Sequence, residues 1–179
     1  MPLGLTEDEK LFSAYKEGSA QAFLALYEQY KQPVFGYVLK NVRQEQLAEE
    51  LFQDVWLRVI ASASRYKNQG RFRQWLFTCA HNVIVDHFRR QKVRADELRD
   101  TEVEANNAEH SGELTDRIEL AIRALPMEQR QAFYLREYLE CSLKEIAQIQ
   151  GCSLEAAKSR MRYAYRKLRI LLNDLNEPE

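Results

Sequence analysis

With 179 residues, 45% apolar and 30% charged, the chain is long enough for one large domain or two small ones, and no stretch approaches the ~18 consecutive apolar residues of a membrane span. The net charge of −1, taken whole, argues against nucleic acid, yet its distribution argues otherwise: residues 1–94 carry 14 Lys/Arg against 10 Asp/Glu, residues 95–116 carry 1 against 8, and residues 117–179 carry 11 against 9. Two mildly basic lobes on either side of an acidic strap are a pattern of nucleic-acid proteins and interaction tails.

The N-terminus, Met1 to Glu7, has no basic segment followed by an apolar run, so no leader peptide is visible and a soluble cytoplasmic protein is expected, without membrane insertion. Thr6-x-x-Glu9 has the capping-box pattern, in which each side chain satisfies a backbone N–H at a helix start. Phe23, Leu26, Tyr27, Tyr30, Val34 and Val38 recur at helical steps, with Pro33 expected to kink or split that helix. Leu47, Leu51, Val55 and Val59 make a second stripe. Residues 64–70 hold turn formers without periodicity and read as a loop. Trp75, Leu76, Cys79, Val83, Ile84 and Phe88 make a third stripe, completing an all-α domain over residues 5–94. Cys79, His81 and His87 invite a metal reading, but His81 and His87 are six apart and fall on different helical faces. With only Cys141 and Cys152 besides, and no Cys-x-x-Cys, neither a metal nor a disulfide framework is expected.

Residues 95–114 are acidic and poor in large apolar groups, so they read as a flexible linker. A second helical domain is expected over 115–175. In it Ile118, Ile122 and Leu125 lead into Pro126, and a helix follows over 127–139. Ser142-x-x-Glu145 is another capping box, Gly151 closes the short helix after it, and Ser153 can cap a last long helix with Ala156, Ala157, Met161, Ala164 and Leu168 inward.

A short helix, a glycine turn and a longer helix that begins with small residues is the helix-turn-helix pattern. The outer face of the second helix carries Lys158, Arg160, Arg162, Arg166, Lys167 and Arg169, with no acid from 158 to 173, which suits a major groove. A second signal spans Arg71 to Arg94, where six basic residues meet one acid, Asp86, among interleaved Phe72, Trp75, Phe77 and Phe88. Cations track a phosphate backbone and aromatic faces stack unpaired bases, although the same aromatics fit a packed helix. A third signal is Glu49, Glu50, Gln53 and Asp54 on one helical face beside Trp56, a patch for a basic partner surface. An ordinary helix-turn-helix regulator, dimeric on palindromic half-sites, remains open at this point, as does a metal-dependent nuclease built on Glu49, Glu50 and Asp54.

In order and spacing the segments resemble the extracytoplasmic-function sigma factors of the sigma-70 family. The strings are Gly18-Ser19-x-x-Ala22-Phe23-x-x-Leu26-Tyr27, then Ala48-Glu49-Glu50-Leu51-Phe52-Gln53-Asp54-Val55-Trp56, then Phe72-Arg73-Gln74-Trp75-Leu76 through Asn82, Asp86, Arg89 and Arg90. Leu125-Pro126-x-x-x-Arg130-x-x-Phe133 and Glu145-Ile146-Ala147 through Lys158-Ser159-Arg160 follow in the C-terminal part. The resemblance implies a non-enzymatic polymerase subunit, all-α, with a region 2 helical bundle and a region 4 helix-turn-helix. It implies that Glu49, Glu50, Leu51, Gln53 and Asp54 bind the core polymerase. It further implies that Tyr66, Arg71, Phe72, Trp75, Asn82, Asp86, Arg89 and Arg90 melt and hold the −10 element, the 64–70 loop capturing a flipped base. Ser153, Lys158, Ser159, Arg160, Arg162, Tyr163 and Arg166 would serve the −35 element. At Arg162 and Tyr163 this chain exchanges the family's usual basic and aromatic positions, which leaves its −35 sequence open. The implied partners are core RNA polymerase, promoter DNA and an anti-sigma factor, with a monomer when free, no cofactor, and an acidic linker that mimics RNA in the polymerase channel.

Overall fold

Eight α-helices and one short 3₁₀ turn, with no strand, make up the described residues of the computed structural model, namely 6–67, 69–97 and 113–174. They divide at Arg94 into two helical units, the all-α, two-domain architecture the sequence implies. The proposed linker over 95–114 falls mostly outside the described residues, save that one helix runs on to Glu97 and the next begins at Glu113.

In the first unit α1 (Glu7–Lys16) packs against α2 (Ala20–Val42), α2 packs against α3 (Glu45–Ser62), and after the turn Ala63–Arg65 comes α4 (Phe72–Glu97). The Thr6 hydroxyl accepts from the Glu9 N–H at 3.4 Å, but the reciprocal half of the expected capping box is missing, because the Glu9 side chain turns inward to tertiary partners. Gly18, at φ 104°, makes the turn into α2, and the Ser19 hydroxyl caps that helix on the Ala22 N–H. Of the kink or split expected at Pro33, the split does not occur, because α2 is continuous through it. Buried Leu26, Tyr30, Val34, Tyr37 and Val38 anchor it on both sides of the ring, and tertiary packing outweighs one lost backbone hydrogen bond. Ala48, Val55 and Val59 of α3 and Leu76, Ala80 and Ile84 of α4 are fully buried as well, and Tyr30 and Tyr37 of α2 lie 5.9 Å and 6.0 Å from the Phe72 and Phe77 rings of α4, so the three sequence stripes form one core.

The second unit holds α5 (Glu113–Arg123), α6 (Met127–Glu137), α7 (Leu143–Ile149) and α8 (Leu154–Asp174), with α8 packed on each of the other three. The capping box at α7 is complete: Ser142 Oγ accepts from the Glu145 N–H at 3.3 Å, and Glu145 Oε2 accepts from the Ser142 N–H at 2.8 Å. Past the far end of α7, Gly151 takes φ 60° while the Cys152 N–H reaches the Ala147 carbonyl at 2.9 Å and the Gly151 N–H reaches Gln148. This is a Schellman closure, for which glycine is the residue of least strain. Ser153 Oγ then accepts from the Ala156 N–H at 3.1 Å and starts α8, whose Ala157 and Ala164 are fully buried. Such small residues let helices cross closely, and they turn the opposite side of α8 outward.

Candidate nucleic-acid interface

The start of α4 and the loop before it enclose a cleft of about 300 Å³ lined by Arg65, Tyr66, Lys67, Gln69, Arg71, Gln74, Trp75 and Thr78. Its rim is cationic, and its floor is an aromatic cluster in which the Phe12 ring lies 5.3 Å from Tyr66, 4.8 Å from Phe72 and 5.3 Å from Trp75. Two expected DNA residues belong to that floor. Phe72 is 1% exposed and Tyr66 9%, so neither ring presents a face on which a base could stack. Burial, reinforced by a hydrogen bond to Glu9, pushes the Tyr66 hydroxyl far above its ordinary range and keeps it a donor. Half-buried Trp75 does line the cleft.

Along α4, Trp75, Asn82, Asp86 and Arg89 follow at steps of seven, four and three and so share a face with the cleft. Asn82, Arg89 and Arg90 are exposed. Asp86 is engaged: its carboxylate accepts from Arg58 of α3 at 3.0 Å and from Arg89 at 3.2 Å, and its carbonyl from Arg90 Nε at 3.2 Å. The single acid of this basic stretch therefore aims arginines while staying partly exposed. Arg58 escaped the sequence reading because its partner lies 28 residues away.

On α3, Glu49, Glu50, Gln53 and Asp54 are exposed together as expected. Leu51, expected among the contact residues, is 4% exposed and packs into the core beneath them. Trp56, expected as the adjoining accessible aromatic, is 5% exposed, its ring 5.0 Å from Tyr27. The accessible apolar groups beside the acids are instead Leu57, 62% exposed, and Ile60. The sequence held a signal for Leu57, since it falls off the 47/51/55/59 stripe and lies four residues beyond Gln53 and three beyond Asp54.

The outward side of α8 presents Lys158, Arg162, Tyr163 and Arg166. Lys158 pairs with Glu155 at 2.8 Å, and that hydrogen bond holds the Glu155 carboxyl below the usual carboxylate range. Arg162 reaches the half-buried Ser159 hydroxyl at 3.3 Å and lies over the Tyr163 ring, 5.6 Å from its centroid. Exposed Ser153 spends its oxygen on the cap. Arg160, expected to face DNA, is drawn inward, pairing with Glu128 of α6 at 2.9 Å and donating to Gln150 Oε1 at 3.0 Å, while Gln150 Nε2 holds the Glu128 carbonyl at 3.0 Å. Lys167 donates to the Ala124 carbonyl at 2.6 Å, next to a groove of about 290 Å³ formed with Pro126, Gln129, Tyr163, Arg166 and Ile170. Among the described residues no group of three or more His, Cys, Asp or Glu could hold a metal ion, and no helix is long and apolar enough to cross a membrane.

Comparison with known proteins follows the same two-unit division. Residues 26–94 match the family described as Sigma-70 region 2, and residues 115–168 match Sigma-70, region 4. The RNA polymerase sigma factor CarQ of Myxococcus xanthus is 35% identical over 165 residues, covering 90% of this chain and 95% of CarQ. The ECF RNA polymerase sigma factor BldN of Streptomyces coelicolor is 32% identical over 173 residues, covering 92% of this chain and 66% of BldN. Among solved structures, CnrH in complex with the cytosolic domain of CnrY aligns with a TM-score of 0.74 at 21% identity, over 96% of this chain and all of CnrH (100%). The sigma factor RpoE in complex with the anti-sigma factor NepR, from Bartonella quintana, aligns with a TM-score of 0.69 at 22% identity, over 86% of this chain and 98% of RpoE. At those identities the two structures speak for the fold.

Proposed function

Because the chain belongs to the sigma-70 family, as an RNA polymerase sigma factor of the extracytoplasmic-function type, we propose that three separate exposed surfaces divide the work of promoter recognition. As a sigma factor the protein is a non-enzymatic subunit that binds core RNA polymerase and directs transcription initiation at particular promoters through their −10 and −35 elements. The finer assignment runs residue by residue.

Glu49, Glu50, Gln53 and Asp54, with Leu57 among them, form the surface for a basic helical element of the polymerase. Carboxylates steer a cationic partner into place, and an apolar centre supplies the burial that exposed charges do not. The cleft bounded by Lys67, Gln69, Arg71 and Trp75 receives an unpaired base of the −10 element, and Asn82, Arg89 and Arg90 follow the opened strand along α4. Lys158, Arg162, Tyr163 and Arg166 lie in the major groove of the −35 element, where each good base contact discriminates by ~1–3 kcal/mol. Residues 5–94, 95–114 and 115–175 are then the −10 and polymerase-binding lobe, the acidic connector and the −35 lobe.

The observation that carries this reading is the face of α8, turned outward by a fully hydrogen-bonded capping box, a Schellman turn and two buried alanines. Neither lobe is strongly charged, so promoter affinity comes from polymerase holding two weak binders at a set spacing. RpoE and CnrH are each bound by a second protein in their solved complexes, and an anti-sigma partner that covers the same surfaces is the reading we adopt here, with a free monomer working in the cytoplasm. The test is reconstitution: core RNA polymerase with this chain should start transcripts at sites that neither core nor chain selects alone. Tight, sequence-specific duplex binding by the isolated chain, or start sites unchanged by its addition, would refute the reading.

A further inference from the structure

We propose that the α1 face carrying Glu9, Phe12 and Lys16 is the positioning element of the cleft at the head of α4, with the Glu9 carboxylate clasping both ends of the loop that forms its rim. The proposal rests on the reading of that cleft as the site for an unpaired base. Glu9 is fully buried, and one of its oxygens, Oε1, accepts both the Tyr66 hydroxyl and the Arg71 backbone N–H, the latter at 2.8 Å. Tyr66 is where the chain leaves the 3₁₀ turn, and Arg71 is where it enters α4. A single atom therefore ties together the two ends of a short segment whose side chains line the cleft.

The neighbours of Glu9 on the same helical face support it. Phe12, three residues on, packs against Tyr66, Phe72 and Trp75. Lys16, four residues further, donates to the Tyr66 carbonyl at 3.2 Å and lies 5.9 Å from the centre of its ring. Steps of three and four put all three on one stripe. A carboxylate out of contact with water costs several kcal/mol unless geometry and hydrogen bonds compensate, and here the two hydrogen bonds it accepts supply that compensation. What the carboxylate adds is direction, because it accepts from two donors that fix where the loop begins and ends. A rim held before the base arrives spares the ordering cost at the moment of binding.

The experiment uses holoenzyme assembled from core RNA polymerase and the full chain, on promoter templates with a pre-opened −10 segment and one base changed at a time. The readout is the affinity ratio between the best and worst base at each unpaired position. Glu9→Ala should lower that ratio about tenfold at one position, while core binding and the other positions change by less than about twofold. Glu9→Gln keeps an oxygen able to accept both donors and should retain most of the discrimination. Tyr66→Phe removes one donor with the ring in place, so it should lower the same ratio even if Glu9→Ala does not fold. Lys67→Ala and Gln69→Ala probe the cleft itself. If these lower the ratio while Glu9→Ala and Tyr66→Phe leave it intact or weaken all templates equally, the positioning role is overturned. If all four leave every position unchanged, the cleft is no base site and the proposal falls with it.

Discussion

Replacing Arg160 by methionine separates scaffold from reader within one basic helix. The guanidinium makes one ion pair, to Glu128, and one hydrogen bond, to Gln150, with 21% of its side chain exposed against 64% for Glu128. A pair that open to solvent contributes about 0.5 kcal/mol after screening, and a charged donor to a neutral amide oxygen adds about 1 kcal/mol. Methionine keeps the apolar stem, so Arg160→Met should destabilise the C-terminal lobe by about 1–1.5 kcal/mol and lower its melting temperature by roughly 4–12 °C for a unit of this size. Promoter affinity of the holoenzyme, measured against salt, should keep its slope, since no phosphate contact is lost. Lys158→Ala and Arg162→Ala should do the reverse, leaving the melting temperature within about 2 °C and reducing the salt slope by about one each. An Arg160→Met variant that melts like the parent but loses a unit of salt slope would refute the division.

Three other outcomes follow from burial and charge. His87 has its pKa lowered, first by burial and then by Arg90, with Arg94 in the same sense and Glu50 opposing. The folded state disfavours the proton, so stability is full above about pH 6.5 and declines as pH falls below it, the unfolded chain charging first. Urea unfolding at pH 7.5 and 5.5 should show a smaller acid loss for His87→Gln than for the parent; an equal loss counts against this. Burial pushes the Cys79 thiol up to about 11 and Cys141 is buried, so brief alkylation at pH 8 followed by mass spectrometry should mark half-exposed Cys152 first. Gln131 is fully buried with neither amide atom hydrogen-bonded within the described protein, so Gln131→Met should raise unfolding stability by about 1 kcal/mol, and a loss would show the amide to be engaged.

Local chemistry was the legible part of this molecule. The α7 capping box, the left-handed Gly151 and the inward Ala157 and Ala164 of α8 are each settled by residues within a few positions of one another, and the structure has them, while Ala156, also expected inward, is only half-buried. The helical stripes were legible for the same reason, and order along the chain was enough to indicate the family. Placements that depend on partners distant in sequence were not legible. Thr6-x-x-Glu9 is a valid capping pattern, yet Glu9 spends its carboxylate on groups 57 and 62 residues away. A basic residue on a basic face looks like a DNA contact until Glu128, 32 positions earlier, is found beside it. Tyr66, Phe72 and Leu51 share that lesson, since composition shows that aromatic and apolar groups are present but not which of them line a surface and which support it.

Gly151 has nothing within 4 Å of where a Cβ would stand, so crowding places no limit on the side chain there. The limit is torsional, because φ 60° is a region that asparagine enters with modest cost and β-branched residues hardly at all. Substitutions at this point should therefore rank by tolerance of a left-handed backbone and not by bulk. A valine would strain the turn from which α8 starts while every outward side chain of that helix stays chemically intact.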